Sequence, residues 1–119
     1  MPKRRGAAAD FKAERERLNA NVMKNAGQVT KRLYSLDSQA YRDGAIPAKT
    51  KELLGLVASL VLRCDDCIKY HVIRCHEAGV TGKELDEALS VGAIVGGTIT
   101  IPHLRRAWDL WGELEGGKE

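Results

Sequence analysis

Aromatic residues, prolines and long apolar runs are all scarce in this chain of 119 residues. Two Trp, three Tyr and one Phe are too few for an aromatic-rich sheet, so the core must come from aliphatic side chains on closely packed helices. With 44% hydrophobic and 29% charged residues, the composition excludes collagenous and disordered chains. No apolar run reaches the roughly 18 residues of a membrane span, and no signal-peptide region is visible. We therefore expect a cytoplasmic protein that does not contact a membrane.

The charge is unevenly distributed along the chain. Residues 1–35 carry nine Lys and Arg against three acidic residues, whereas the rest of the chain carries ten against thirteen. The early positive charges alternate with Glu14 and Glu16 and lack a reading element, which favours a solvated helix and no nucleic-acid partner. We predict a basic N-terminal helical segment over residues 1–26 and one helical domain over residues 27–119.

Apolar spacing and helix punctuation predict an all-α fold of about six helices. The predicted helices cover residues 10–24, residues 29–42, residues 49–62, from about Cys64 to Gly79, from Thr81 to about Gly96, and from Pro102 to Gly116. The helix over 49–62 is expected to be buried, and Trp108 is expected on the buried side of the last helix. A chain this short buries limited surface, so we expect oligomers formed through helix faces.

Three cysteines, Cys64, Cys67 and Cys75, lie within twelve residues. An odd, clustered number argues against a disulfide framework and is typical of redox-active or metal-binding cysteines in a reducing cytosol. Cys75 continues an apolar stripe and is predicted to belong to the core.

Cys64, Cys67 and His71 share one face of a helix that begins near Cys64. A helix N-terminus lowers the pKa of a thiol, and a histidine one turn away can exchange a proton with Cys67. A nucleophile, a base and a second thiol are what thiol peroxidase chemistry requires.

Two other interpretations of these residues stay open. Four ligands that included Cys75 would span about 16 Å of helix, too far for one zinc ion, but Cys64, Cys67 and His71 could bind zinc with a fourth donor from elsewhere. Alternatively, two buried cysteines and a core histidine align without a function. The adjacent Asp65 and Asp66 disfavour full burial of that turn.

The motif Cys64-x-x-Cys67-x-x-x-His71, with Glu52 twelve residues before it and a Gly-rich helix ending in Val-Gly-Gly97, resembles the AhpD-like core of the carboxymuconolactone decarboxylase family. The resemblance covers roughly residues 35–115. It implies an all-helical fold, homotrimers or homohexamers, and a peroxide-reducing site.

The resemblance also implies a role for each residue of the motif. Cys67 would be the peroxidatic cysteine, Cys64 the resolving cysteine, His71 the proton-transfer partner and Glu52 the outer member of the relay. The substrate would be a hydroperoxide, and an external dithiol, such as a lipoylated or thioredoxin-like protein, would reduce the disulfide. No cofactor and no metal are expected. From the residues alone, Glu52 could instead be exposed and paired with Lys49 or Lys51.

The chain differs from the best-characterised members, which have a histidine where this sequence has Asp65-Asp66. These carboxylates favour the helix N-terminus but repel a thiolate. Two alternative functions are a non-enzymatic redox-sensing oligomer and a cofactor-free, decarboxylase-type enzyme for a small carboxylic acid or lactone. In the latter, His71 and Glu52 would act as acid and base.

Overall fold

The computed structural model describes residues 6–117, and these residues form helices and no strand. The helices are α1 (Ala7–Asn25), α2 (Gln28–Ala40), α3 (Ala48–Leu62), α4 (Asp65–Glu77), α5 (Gly82–Gly96) and α6 (Ile101–Gly116), with a 3-10 turn at Thr98–Thr100. The all-α prediction is confirmed. Residues 1–5 of the predicted basic segment and residues 118–119 of the predicted helical domain lie outside the described residues.

Local chemistry sets several helix boundaries as predicted. The Thr81 hydroxyl accepts a hydrogen bond from the Glu84 backbone N–H, and the Glu84 carboxylate accepts one from the Thr81 N–H, which together form a capping box. Gly79 and Gly97 have φ angles of 84° and 83°, a left-handed conformation that glycine adopts without a steric penalty. The chain therefore turns sharply before and after α5.

The core lies where α4 packs between α3 and α6, with α5 against the other side of α3. Its fully buried side chains include Leu56 and Leu60 of α3, Val72 of α4 and Leu85 of α5. A Cβ atom on Gly92 would lie 2.9 Å from Leu60 Cδ2, so the missing side chain allows α5 to approach α3 closely. Gly92 therefore serves helix packing within the single chain.

Two predictions about burial were wrong. Helix α3 was expected to be buried, yet Leu54 and Leu62 are 54% and 76% exposed, because only α4 and α5 cover α3 extensively. Trp108 was expected on the buried side of α6 but is 37% exposed, whereas Leu110 lies in the core. In both cases apolar side chains remain accessible on the surface of the single chain.

The N-terminal helices differ in how they attach to this core. Helix α1 packs Phe11 against the core, and the Glu113 carboxylate of α6 accepts hydrogen bonds from the Ala7 and Ala8 N–H groups at 2.7 and 2.8 Å. Helix α2 buries no residue. None of the helices between residues 6 and 117 is long and apolar enough to cross a membrane.

Candidate active site

The two motif cysteines lie at the junction of α3 and α4. Arg63 ends α3 in a left-handed conformation, with φ 59°, and the chain turns directly into α4. Cys64 is the N-cap of α4, and its sulfur accepts a hydrogen bond from the Cys67 backbone N–H at 3.2 Å. Cys64 and Cys67 form a disulfide, with their Cα atoms 5.2 Å apart. The first turn of the helix therefore brings the two sulfurs into covalent contact.

The three cysteines have different access to solvent. Cys67 is exposed and Cys64 is half-buried, so the disulfide can be reached from outside the molecule. Cys75 is fully buried in the core, and burial raises the pKa of its thiol to about 12. The Cys75 thiol therefore stays protonated and unreactive at neutral pH, in agreement with its predicted core position.

One turn beyond Cys67, His71 is buried together with Glu52 of α3. His71 Nδ1 lies 2.9 Å from Glu52 Oε1. Because a carboxylate only accepts hydrogen bonds, the Nδ1–H group donates and the other ring nitrogen, Nε2, is left as an acceptor. This pair joins α3 to α4 and fixes both the ring orientation and the tautomer of His71.

The alternative prediction of an exposed Glu52 paired with Lys49 or Lys51 is wrong. Glu52 is only 4% exposed. Lys49 forms an ion pair with Glu84 at 3.0 Å, and the Lys51 ammonium donates to the Arg42 carbonyl at 2.7 Å. The second carboxylate oxygen of Glu52 faces Arg74 Nε at 3.7 Å. Glu52 therefore faces α4.

Tyr41 is a member of the site that the sequence did not indicate. It follows α2 directly, and its hydroxyl lies 3.3 Å from His71 Nε2. Burial and the negative charges of Asp37 and Glu52 raise the pKa of Tyr41, so the hydroxyl keeps its proton and donates to Nε2. Tyr41, His71 and Glu52 thus form a continuous hydrogen-bonded chain. No periodicity or motif marks Tyr41, because only the turn from α2 to α3 brings it here.

The structure places His71 and Cys67 one turn apart on α4, but both ring nitrogens of His71 contact other groups. Nδ1 contacts Glu52 and Nε2 contacts Tyr41. Within residues 6–117 no hydrogen bond joins His71 to the Cys67 sulfur while the disulfide is formed. The hydrogen-bonded chain is thus built beside the cysteine pair without bonding to it in this state.

A cavity of about 490 Å³ opens between α1 and α2 and reaches the motif at Asp66, the residue before Cys67. Its walls are partly apolar, with Phe11, Leu18 and Leu33. The charged residues of the lining are Arg15 and three acidic residues, Glu14, Asp37 and Asp66. No group of three or more metal-binding side chains comes together in the described part of the chain.

Comparison with known proteins places the site in a family context. The sequence profile of the Carboxymuconolactone decarboxylase family matches residues 27–110. Among curated proteins, uncharacterized protein 4 in the cox locus of Paracoccus denitrificans is 28% identical over 82 residues, which cover 69% of this chain and 74% of that protein. The region matched by the family profile contains α2 to α5 and most of α6, and with them Tyr41, Glu52, Cys64, Cys67 and His71.

Solved structures share the whole fold. Two crystal structures of TM1620 from Thermotoga maritima are each 50% identical to this chain and cover 92% of it. The first has a TM-score of 0.90 with 96% of its own chain covered, and the second has a TM-score of 0.88 with 92% covered. One of them is described as a carboxymuconolactone decarboxylase family protein with a suggested involvement in antioxidative response. A further family protein, apo-lpg0406 from Legionella pneumophila, is 24% identical with a TM-score of 0.82 over 90% of this chain and 96% of its own. At that identity it supports the fold alone.

Gly55 provides a test of the site geometry. A Cβ atom there would lie 2.6 Å from the Tyr41 hydroxyl and 2.7 Å from His71 Cε1. We expect Gly55→Ala to lower the free energy of unfolding by about 1 to 3 kcal/mol, because the new methyl group pushes the two rings apart. Urea denaturation measures the change.

Gly112 provides the matched control, because it is also inside a helix but has no atom within 4 Å of an added Cβ. Gly112→Ala should raise the stability by up to about 1 kcal/mol through helix propensity alone. Equal changes in the two variants would show that Gly55 does not make room for Tyr41 and His71.

Proposed function

The chain belongs to the carboxymuconolactone decarboxylase family, and we propose that it is a thiol-dependent hydroperoxide reductase of the AhpD-like type. The observation that carries the proposal is an accessible cysteine pair at a helix N-terminus, one turn before a histidine held by a buried carboxylate. The antioxidative involvement suggested for TM1620, at 50% identity, also supports it.

In the proposed cycle, Cys67 attacks first. The Cys67 thiolate attacks the distal oxygen of the hydroperoxide, the O–O bond breaks, and the products are a sulfenic acid on Cys67 and an alkoxide. The alkoxide takes a proton and leaves as an alcohol. The Cys64 thiol then attacks the sulfenic sulfur, water leaves, and the disulfide forms.

Glu52 and His71 would carry the protons of this cycle. In the reduced state, His71 Nε2 takes the proton of the Cys67 thiol, and the Glu52 carboxylate at Nδ1 stabilises the resulting imidazolium. The imidazolium then returns the proton to the departing alkoxide. At 3.3 Å, the Tyr41 contact to Nε2 is long for a hydrogen bond to a hydroxyl, so a thiol can replace it at low cost.

The exposure of the two cysteine residues supports one order of attack. Cys67 is exposed, whereas Cys64 is half-buried and already accepts the Cys67 N–H. That hydrogen bond also favours a thiolate on Cys64 and so supports Cys64 as the leaving group when the disulfide is reduced. We therefore keep Cys67 as the peroxidatic cysteine and Cys64 as the resolving cysteine.

The substrate and the reductant would both reach the pair from solvent. The partly apolar cavity that ends at Asp66 suits the organic portion of an alkyl hydroperoxide. An external dithiol, on a lipoylated or thioredoxin-like protein, would attack the exposed Cys67 sulfur and restore both thiols. Such a cycle belongs in the cytoplasm, where dithiol reductants keep cysteines reduced.

Replacing single residues tests this activity. With cumene hydroperoxide and dithiothreitol, Cys67→Ser should reduce peroxide consumption to the uncatalysed rate. His71→Ala should lower kcat/KM about 100-fold or more, because general acid–base catalysis contributes at least that factor. The buried Cys75 provides the control, and Cys75→Ala should retain most of the activity of the parent protein.

Three results would contradict the proposal. Unchanged turnover in both Cys67→Ser and His71→Ala would exclude thiol catalysis. A change in assembly between the oxidised and reduced protein, without peroxide turnover, would indicate a redox sensor. Consumption of a small carboxylic acid or lactone that survives replacement of both Cys64 and Cys67 would indicate a decarboxylase-type enzyme.

We further propose that the protein works as a homo-oligomer, a trimer or a hexamer. Helix α2 exposes an apolar stripe of Val29, Leu33 and Leu36, which are 82%, 64% and 60% exposed in the single chain. Helix α5 exposes Ile94 and Val95 at 86% and 70%. Exposed apolar surface on two helices is typical of protein–protein contacts and supports contacts with further copies of the chain.

Sedimentation velocity tests the assembly. The parent protein should sediment as three or six chains, and Leu33→Glu should shift the distribution towards smaller species by placing a charge within an apolar contact. Lys31→Glu, a charge change on the same helix outside the stripe, should leave the distribution unchanged. A monomeric parent protein would contradict the proposal.

A further inference from the structure

The first residue of α4, Asp65, is held by two side chains of α6. Its carboxylate accepts a hydrogen bond from His103 Nδ1–H at 2.8 Å. Arg106 approaches both oxygens, with Nε and Nη2 at 3.2 and 3.0 Å from Oδ1 and Nη2 at 3.1 Å from Oδ2. Asp65 directly follows Cys64, so α6 anchors the peptide segment that carries the cysteine pair.

These contacts bear on the charge next to the cysteines. An unpaired carboxylate on Asp65, the residue next to Cys64, would disfavour a thiolate on either motif cysteine. His103 and Arg106 hold the pKa of Asp65 below its usual range, so the carboxylate is ionised at neutral pH and paired with positive charge. The pair is partly exposed, with Asp65 and Arg106 side chains 48% and 51% accessible, so its effect is moderate.

We propose that Arg106 is a positioning residue that sets the dithiol–disulfide equilibrium of Cys64 and Cys67 by holding and neutralising Asp65. His103 supports the same contact from the preceding turn of α6. The inference takes from the proposed function only that Cys64 and Cys67 are a redox pair. It requires no reaction with peroxide.

The redox step can be written for dithiothreitol. Its two thiols lose two electrons and two protons and close to a cyclic disulfide, while the Cys64–Cys67 bond breaks and accepts two electrons and two protons. Above the pKa of the more acidic motif thiol, that thiol releases its proton to solvent and is a thiolate, so groups that stabilise the thiolate favour reduction. Neutralising Asp65 therefore makes the disulfide easier to reduce.

Other charged residues near Cys64 and Cys67 also influence the stability of the thiolate. Arg63 precedes Cys64, and Asp66 follows Asp65. Arg105, next to Arg106 in the sequence, is exposed and makes no hydrogen bond or ion pair with any residue from 6 to 117. Arg105→Gln and Arg106→Gln thus remove the same charge from adjacent positions, and only the second breaks the contact with Asp65.

The experiment measures two quantities on the full chain in the same buffer. The first is the equilibrium constant for reduction by dithiothreitol, and the second is the thiol pKa from thiolate absorbance. We expect Arg106→Gln to lower the equilibrium constant about threefold to tenfold and to raise the thiol pKa. Arg105→Gln should change the equilibrium constant by less than about twofold and leave the thiol pKa unchanged. Asp65→Asn should shift both quantities in the opposite direction, and this prediction holds even where Arg106→Gln does not fold.

The double variant separates an effect through Asp65 from a direct effect of Arg106. In the Asp65→Asn background, Arg106 has lost its anchor, so Arg106→Gln should change the equilibrium constant by less than about twofold. An equally large change in both backgrounds would overturn the proposal, as would equal effects of Arg105→Gln and Arg106→Gln. A protein with these shifts but without peroxide turnover would overturn the proposed function and leave this inference in place.

Discussion

The hydrogen bond between His71 and Glu52 is the interaction on which the rest of the site depends. A carboxylate that is 4% exposed is unfavourable unless it is paired, and removing either residue would leave Glu52 Oε1 or His71 Nδ1 buried without its hydrogen bond. The pair therefore fixes how α3 lies against α4. Gly55, one turn along α3, leaves space for the imidazole and the Tyr41 hydroxyl at this contact.

Helix α4 connects this buried pair to an exposed cysteine pair. Its N-terminus carries Cys64 and Cys67 in contact with solvent, and its next turn carries His71 into the contact with α3. The first turn is therefore accessible to solvent, while the next turn holds the His71 imidazole against Glu52. The packing of α4 against α3 produces this gradient of burial along a single helix, and α6 adds a second point of attachment at Asp65.

Local signals in the sequence were sufficient for the helices and for the cysteine motif. The capping residues Thr81 and Glu84 act only on their neighbours, and the spacing of Cys64, Cys67 and His71 is a property of one helix. Contacts between helices were harder to predict from the sequence. The resemblance implied a relay role for Glu52, whereas the residues alone left open an exposed Glu52 paired with Lys49 or Lys51. The contacts of Tyr41, and of Arg106 with Asp65, depend on turns and packing that no periodicity encodes. Trp108 was misplaced for the same reason, because an apolar stripe does not show which part of it a neighbouring helix covers.

A thiol count tests most directly whether the buried Glu52–His71 pair supports peroxide reduction by Cys64 and Cys67. The thiols are counted after one equivalent of an organic hydroperoxide is added to the reduced protein. Two of the three thiols should disappear, the remaining thiol should be the buried Cys75, and Glu52→Gln should slow the loss about tenfold or more. Three thiols that persist, or loss at the parent rate in Glu52→Gln, would show that the buried pair does not serve the cysteines.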